Sequence, residues 1–188
     1  MKTGKTVKVL LTAATAAGML AGCGSKTDTD TFRFASELDI QGMDSTVVDD
    51  GMSYNAVHAI TDGLTAVNEK GKTAPAIAKS WDVSDDGKTY TFHLRDAKWS
   101  NGDKVTANDF VYSWRKIIKN AGNYAYMLGS EGASVKNADA LMELGTNATD
   151  EQMATLGVTA KDDKTLVVEL ENKVPYFTDL MAFPCYFP

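Results

Sequence analysis

Residues 80–116 read SWDVSDDGKTYTFHLRDAKWSNGDKVTANDFVYSWRK. The spacing of their apolar and capping residues predicts a hairpin followed by a helix. Alternating apolar residues flank Asp85-Asp86-Gly87, which predicts two strands joined by a turn. Thr106 and Asp109 then have the spacing of a capping box, in which two side chains satisfy free N–H groups at a helix start. Apolar residues repeat at helical spacing after this box. Four of them should form the buried face of the helix: Phe110, Trp114, Ile117 and Ile118.

This hairpin, loop and capped helix resembles the signature of the oligopeptide-binding proteins of ABC importers, the family 5 solute-binding proteins. The resemblance is dense in Trp, Gly and Asp, and it extends more weakly over residues 31–188. It implies a mixed α/β (α+β) fold of the periplasmic-binding-protein-like type II. Members of this family have two lobes around a hinge, and they continue for several hundred residues beyond the part that this chain resembles. Residues 31–188 are therefore expected to be the N-terminal part of a truncated domain, namely the first lobe with a small α+β subdomain.

The N-terminus has the layout of a secretory signal over residues 1–22, because lysines precede an apolar run shorter than the ~20 residues of a membrane span. The sequence Leu20-Ala21-Gly22-Cys23 resembles a bacterial lipobox, which implies cleavage before Cys23 and a lipid on its sulfur. An ordinary signal with an incidental cysteine is the alternative. Residues 23–30 are small and polar, and they predict a flexible tether. A lipid anchor would hold the protein at the extracellular or periplasmic face of the cell membrane.

Composition and charge set limits on the function. The 188 residues are 44% hydrophobic and 23% charged, which is typical of a globular domain, and the net charge is −6. Nucleic-acid binding needs a basic face, so this acidic balance argues against it. If Cys23 carries lipid, Cys185 has no partner for a disulfide. Its aromatic neighbours predict that Cys185 is a small buried apolar residue.

Short motifs suggest other chemistry, but each has a better structural explanation. The Gly-Lys-Thr triplets lack the earlier glycine that a phosphate loop requires. The sequence from Asp82 imitates a calcium loop, but His93 stands where a bidentate Glu should close it, so a hairpin turn is favoured. His58 and His93 have no second ligand at metal-site spacing. No nucleophile constellation is present either, so we expect no enzyme, no metal and no cofactor.

The remaining sequence predicts short elements in alternation. Three tryptophans, Trp81, Trp99 and Trp114, are expected to pack in the core, with a ligand platform as the alternative. The predicted elements are a strand at 31–35, a helix from Tyr54 that stops at Gly63, a strand at 64–67, a weak helix at 137–144, a capped helix from Thr149 to Gly157, a second hairpin at 158–170 and a helix near Pro175.

The resemblance also implies where a ligand would bind. Peptides bind such proteins as an added strand, at a segment just before the first helix. A gapless alignment to Gly63-Leu64 places this segment at residues 49–52, and an aromatic contact falls after the signature helix. The implied peptide-binding residues are Asp49, Asp50, Gly51, Met52 and Tyr124. The alternative is that residues 49–51 form only a solvated loop, with Gly51 available for positive φ.

The function implied by the resemblance is capture of oligopeptides and their delivery to an ABC permease and its ATPase subunits. Closure of two lobes around the peptide would present a surface to the permease. Three alternatives stay open at this point. The protein could bind nickel, haem or another small solute, it could be a transport-incompetent fragment, or it could be a lipid-anchored hydrolase. The absence of a nucleophile constellation speaks against the hydrolase.

Overall fold

A computed structural model describes residues 35–188 of the chain. Cys23, the tether and nearly all of the strand predicted at 31–35 lie outside the described residues. Within 35–188, no helix is long and apolar enough to cross a membrane. Residues 37–188 form one compact unit.

The two predicted hairpins are present, and they join into one antiparallel sheet. Strands β3 (Ala78–Val83) and β4 (Thr89–Leu94) form the first hairpin, and β5 (Val158–Asp162) and β6 (Thr165–Glu169) form the second. The strand order is β3-β4-β6-β5. In this register Phe92 lies between Trp81 on β3 and Leu166 on β6. The sequence pattern had predicted each hairpin separately, with no pairing between them.

The predicted capped helix is α2 (Ala107–Lys119), and it packs on β5 and β6 of this sheet. All four predicted core residues of α2 are fully buried. Asp109 Oδ2 accepts a hydrogen bond from Thr106 N at 2.7 Å, so the capping box is confirmed. Burying each large apolar side chain stabilises the fold by about 1.5–3 kcal/mol. The burial of Trp114 confirms it as a core residue. Trp81 and Trp99 are partly buried and pack against the same core.

The last residues of the chain also belong to this core. A short helix, α5 (Phe177–Leu180), is followed by a 3₁₀ turn, Pro184–Tyr186. Ser113 Oγ donates to Phe187 O at 2.6 Å, and Trp114 Nε1 donates to Tyr186 O at 3.0 Å. Cys185 is fully buried, as predicted, and burial raises the pKa of its thiol.

Helix α1 (Gly51–Ile60) differs from the prediction at both ends. It begins at Gly51, so the loop predicted at residues 49–51 is confirmed for Asp49 and Asp50 and wrong for Gly51, which does not have positive φ. It ends three residues before Gly63, which lies outside the left-handed region. A Cβ on Gly63 would lie 2.4 Å from Phe187 Cε1, so close packing requires this glycine.

The hairpin of β1 (Thr65–Val67) and β2 (Thr73–Pro75) follows α1, in agreement with the strand predicted at 64–67. The weak helix is confirmed as α3 (Ala138–Leu144). Helix α4 (Asp150–Met153) has the predicted capping box, with Thr149 N donating to Gln152 Oε1 at 2.9 Å. It ends before Gly157, where a Cβ would meet Glu169 O at 2.5 Å. Two further 3₁₀ turns cover Ala125–Leu128 and Gly145–Asn147.

Candidate functional site

Asp50 is the N-cap residue of α1, and its side chain caps the start of the helix. Its Oδ1 accepts from Ser53 N at 2.8 Å. Hydrogen bonds from the Ser53 side chain and then from its backbone N–H lower the pKa of Asp50. The other oxygen, Oδ2, is buried without a partner in the described residues. Local structure therefore accounts for Asp50, whose predicted peptide contact stays a prediction.

Ser53 ties the irregular chain before the helix to α1. This residue is fully buried, and its Oγ accepts from Gln41 N at 2.9 Å and from Gly42 N at 3.3 Å. Further along the same segment, Asp44 pairs with Lys116 Nζ of α2 at 2.5 Å. Partial burial opposes ionisation of Asp44, but hydrogen bonds from Lys116 and Thr46 outweigh it and lower its pKa. Residues 41–44 thus link the start of α1 to α2.

Asp49 and the chain after α2 meet through a hydrogen bond. Asn123 Nδ2 donates to Asp49 Oδ2, although the two residues are 74 positions apart in the sequence. Both side chains are exposed. Asn123 directly precedes Tyr124, so this bond brings the two predicted parts of the site together.

An aromatic cluster makes the second link between these segments. The Tyr54 ring of α1 lies edge-on to Tyr124, with centroids 5.2 Å apart, and it also packs on Phe183 at 5.3 Å. Tyr124 contacts Phe183 at 5.5 Å and stacks with Tyr126 at 6.0 Å. The Tyr54 hydroxyl is buried without a partner in the described residues, and burial raises its pKa. The cluster fixes Tyr124 beside the helix start.

Gly51 and Met52 complete the predicted set. Gly51 is exposed, and a Cβ placed on it would meet nothing within 4 Å. The backbone at this point therefore faces open space. Met52 is half-buried on the first turn of α1. The five predicted residues thus surround one end of one helix, with Gly51 and Asp49 the most open to an incoming chain.

A cleft of about 500 Å³ runs along the other end of α1 and along β1. Phe183 and Phe187 line it together with His58 and Thr65. Because Phe183 also packs on Tyr54 and Tyr124, the aromatic cluster adjoins this cleft. The sequence patterns did not identify Tyr54, Asn123 or Phe183 as site residues. The sequence pattern placed Tyr54 only at the start of a helix, and no local signal pairs Asn123 with Asp49.

The structural explanations of the short motifs hold where the structure describes them. Gly87-Lys88-Thr89 passes from a turn into β4, whereas a phosphate loop must open a helix. Asp86 Oδ1 accepts from Ser84 Oγ at 2.5 Å and from Lys88 N at 3.0 Å, as expected of a hairpin turn. Residues 35–188 contain no cluster of three or more His, Cys, Asp or Glu side chains that could hold a metal ion.

The chain has the mixed α/β architecture of periplasmic-binding-protein-like folds, as the solved structures of similar proteins show. Residues 72–188 match the model for bacterial extracellular solute-binding proteins, family 5 Middle. The chain belongs to this family.

Solved structures of relatives have the same fold. An oligopeptide ABC transporter substrate-binding domain from Bacillus anthracis is 40% identical with a TM-score of 0.75, over 82% of this chain and 29% of that chain. OppA of Listeria monocytogenes bound to peptide is 39% identical with a TM-score of 0.69, over 78% of this chain and 28% of that chain. The expected fold class is therefore confirmed.

A curated relative aligns along the whole chain. The dipeptide-binding protein of Lactococcus lactis is 40% identical over 192 residues, covering 100% of this chain and 33% of the relative. The chain thus spans about a third of the length of this relative.

Proposed function

We propose that the whole protein is the extracytoplasmic substrate-binding component of an ABC importer. It captures oligopeptides and delivers them to a permease and its ATPase subunits. Two relatives that are about 40% identical are named for dipeptides and for an oligopeptide transporter, which supports peptides over nickel, haem or another small solute. Binding and release are sufficient for this role, and no catalytic residue is assigned.

The observation that carries the proposal is the convergence of Asp49 and Tyr124 at an exposed helix start. The Asn123–Asp49 hydrogen bond and the Tyr54–Tyr124 contact hold two distant segments there. In the proposed mode, an extended peptide pairs its backbone with the chain at Asp49 and Asp50, where Asp50 is extended, and contacts Gly51 and Met52 on the first turn of α1. An added strand gives affinity without requiring one sequence. Tyr124 provides an apolar face for a peptide side chain.

We further propose that the mature protein begins at Cys23, which carries the lipid anchor, with residues 24–30 as a tether. The support is the lipobox resemblance in the sequence. Mass spectrometry of the membrane fraction should find an acylated Cys23 peptide, and Cys23→Ala should release the protein from cells. Retention of the Cys23→Ala protein at the membrane would contradict the anchor.

Isothermal titration of the full-length protein with tri- to pentapeptides tests the binding site. We expect Asp49→Asn and Tyr124→Leu to weaken peptide affinity by about tenfold, a loss of about 1.4 kcal/mol. Asp85→Asn is the matched control, because Asp85 is an exposed acid on the β3–β4 turn and is not one of the predicted peptide contacts. No binding of any peptide by the wild type would refute the proposed function. Equal affinities in all variants would refute only the assignment of the site.

A further inference from the structure

A second groove lies beside α2, and none of the proposed peptide contacts lines it. Its volume is about 680 Å³, within the range of about 300–1,000 Å³ typical of small-molecule pockets. It is lined by the outer face of α2 and by residues of α4. Val111 and Met153 are buried and supply apolar lining, and Tyr112, which is 69% exposed, also lines the groove.

Arg115 also lines this groove, and no ion pair joins it to another described residue. Its Nε is shielded from solvent and has no hydrogen-bond acceptor in residues 35–188. A guanidinium stays charged at any physiological pH, and a shielded N–H without an acceptor is costly. A ligand carboxylate that bonds the Nη groups of Arg115 would supply the counter-charge that the described residues lack.

The neighbouring charges decide what kind of acceptor fits. Lys116 and Lys119 line the same groove, but each already has a carboxylate partner. Lys116 Nζ lies 2.5 Å from Asp44, and Lys119 Nζ lies 3.1 Å from Asp150. Arg115 is therefore the cation of this groove that lacks a partner among the described residues. One unmatched positive charge is balanced by one negative charge, as on a carboxylate.

We propose that this groove binds a small molecule that carries one carboxylate on an apolar body. The planar guanidinium of Arg115 accommodates a carboxylate through two parallel hydrogen bonds, a geometry that an ammonium group cannot provide. The apolar body contacts Val111, Met153 and the Tyr112 ring. This site is separate from residues 49–52 and Tyr124, and it does not depend on the proposed peptide transport.

NMR titration of the 188-residue chain with N-acetyl-leucine tests the proposal. N-acetyl-leucinamide, which has the same apolar body without the charge, is the matched probe, and inorganic phosphate tests for a general anion. We expect saturable shifts at Tyr112, Arg115 and Met153 with the acid and at least about tenfold weaker binding of the amide. Arg115→Gln should weaken acid binding by about tenfold or more, whereas Lys161→Gln, at an exposed position on β5, should leave it unchanged.

Arg115→Lys separates loss of charge from loss of the planar fork, and it should give an intermediate affinity. Asp49→Asn should leave acid binding unchanged if the two sites are independent. Absence of saturable shifts with the acid would overturn the proposal. Equal affinity for the neutral amide, unchanged affinity in Arg115→Gln, or tighter binding of phosphate at the same signals would overturn it as well.

Discussion

Among single residues, Tyr54 is buried although its hydroxyl has no hydrogen-bond partner in the described residues. It is 7% exposed. Because an unpaired buried hydroxyl costs about 1–3 kcal/mol, we expect Tyr54→Phe to raise the free energy of unfolding by about 1 kcal/mol or more. The ring contacts to Tyr124 and Phe183 would be kept. Urea denaturation followed by tryptophan fluorescence measures the change.

Tyr186 is the matched control for this substitution, since it is also fully buried. Its hydroxyl donates to Met127 O, so Tyr186→Phe should lower the free energy of unfolding by about 1 kcal/mol. The two Tyr→Phe changes are therefore expected to have opposite signs. If Tyr54→Phe destabilised the protein as much as Tyr186→Phe, the Tyr54 hydroxyl would have to be paired, for example with an ordered water.

At the scale of elements, α1 depends on its N-cap. Asp50 accepts from Ser53 N at 2.8 Å, and alanine cannot replace this acceptor. We expect Asp50→Ala to lower the midpoint of thermal unfolding. Asp50→Asn keeps a capping oxygen and should preserve most of that midpoint at pH 7. Circular dichroism melts of the three proteins give the comparison.

The same cap predicts a dependence on pH. Hydrogen bonds from Ser53 lower the folded-state pKa of Asp50 below its ordinary value of 3.8. The carboxylate therefore contributes stability that is present above pH 3.8 and is lost as pH falls through the lower folded-state pKa. Asp50→Asn has no such group, so its stability should fall less steeply below pH 4 than that of the wild type. Parallel acid titrations of the two proteins would contradict this account if their slopes were equal.

Elements defined by local patterns could be predicted from the sequence, whereas their pairing could not. The capping box at Thr106 and the buried face of α2 lie within one short segment, and both are confirmed. The start of α1 was placed too late, because Asp50 was interpreted as a loop acid and not as an N-cap. The pairing of β4 with β6 joins residues about 75 positions apart, and alternation alone leaves partner strands open.

The candidate site divides in the same way. Family resemblance predicts Asp49 and Tyr124 as peptide contacts, and their role stays a prediction. The contacts that hold them, from Asn123 and from the Tyr54 ring, depend on how α1 lies against the chain after α2. Such contacts are set by tertiary packing, and no residue spacing in the sequence encodes them.

In the unit of residues 37–188, the aromatic C-terminal segment (residues 183–188) contacts both helix α2 and the residues 61–64 that join α1 to β1. Phe187 O accepts from Ser113 of α2 at 2.6 Å, and the Phe187 ring lies against Gly63. A Cβ at residue 63 would lie 2.4 Å from Phe187 Cε1 and 2.5 Å from Met181 O. The Met181 carbonyl is part of the backbone, so it cannot move aside as the end of a flexible side chain could. Gly63 is therefore a point of close contact between the α1–β1 connection and the C-terminal segment.

We expect Gly63→Ala to lower the free energy of unfolding by about 1–3 kcal/mol, because overpacking forces neighbouring backbone to shift. Gly51→Ala is the matched control: a Cβ there meets nothing within 4 Å, and alanine favours a helix by up to about 1 kcal/mol. Denaturant titration measures both. If Gly51→Ala also weakened peptide binding by the full-length protein without loss of stability, the added methyl would lie where the peptide backbone pairs. Equal stability of the Gly63→Ala and wild-type proteins would show that the C-terminal segment can move away from α1.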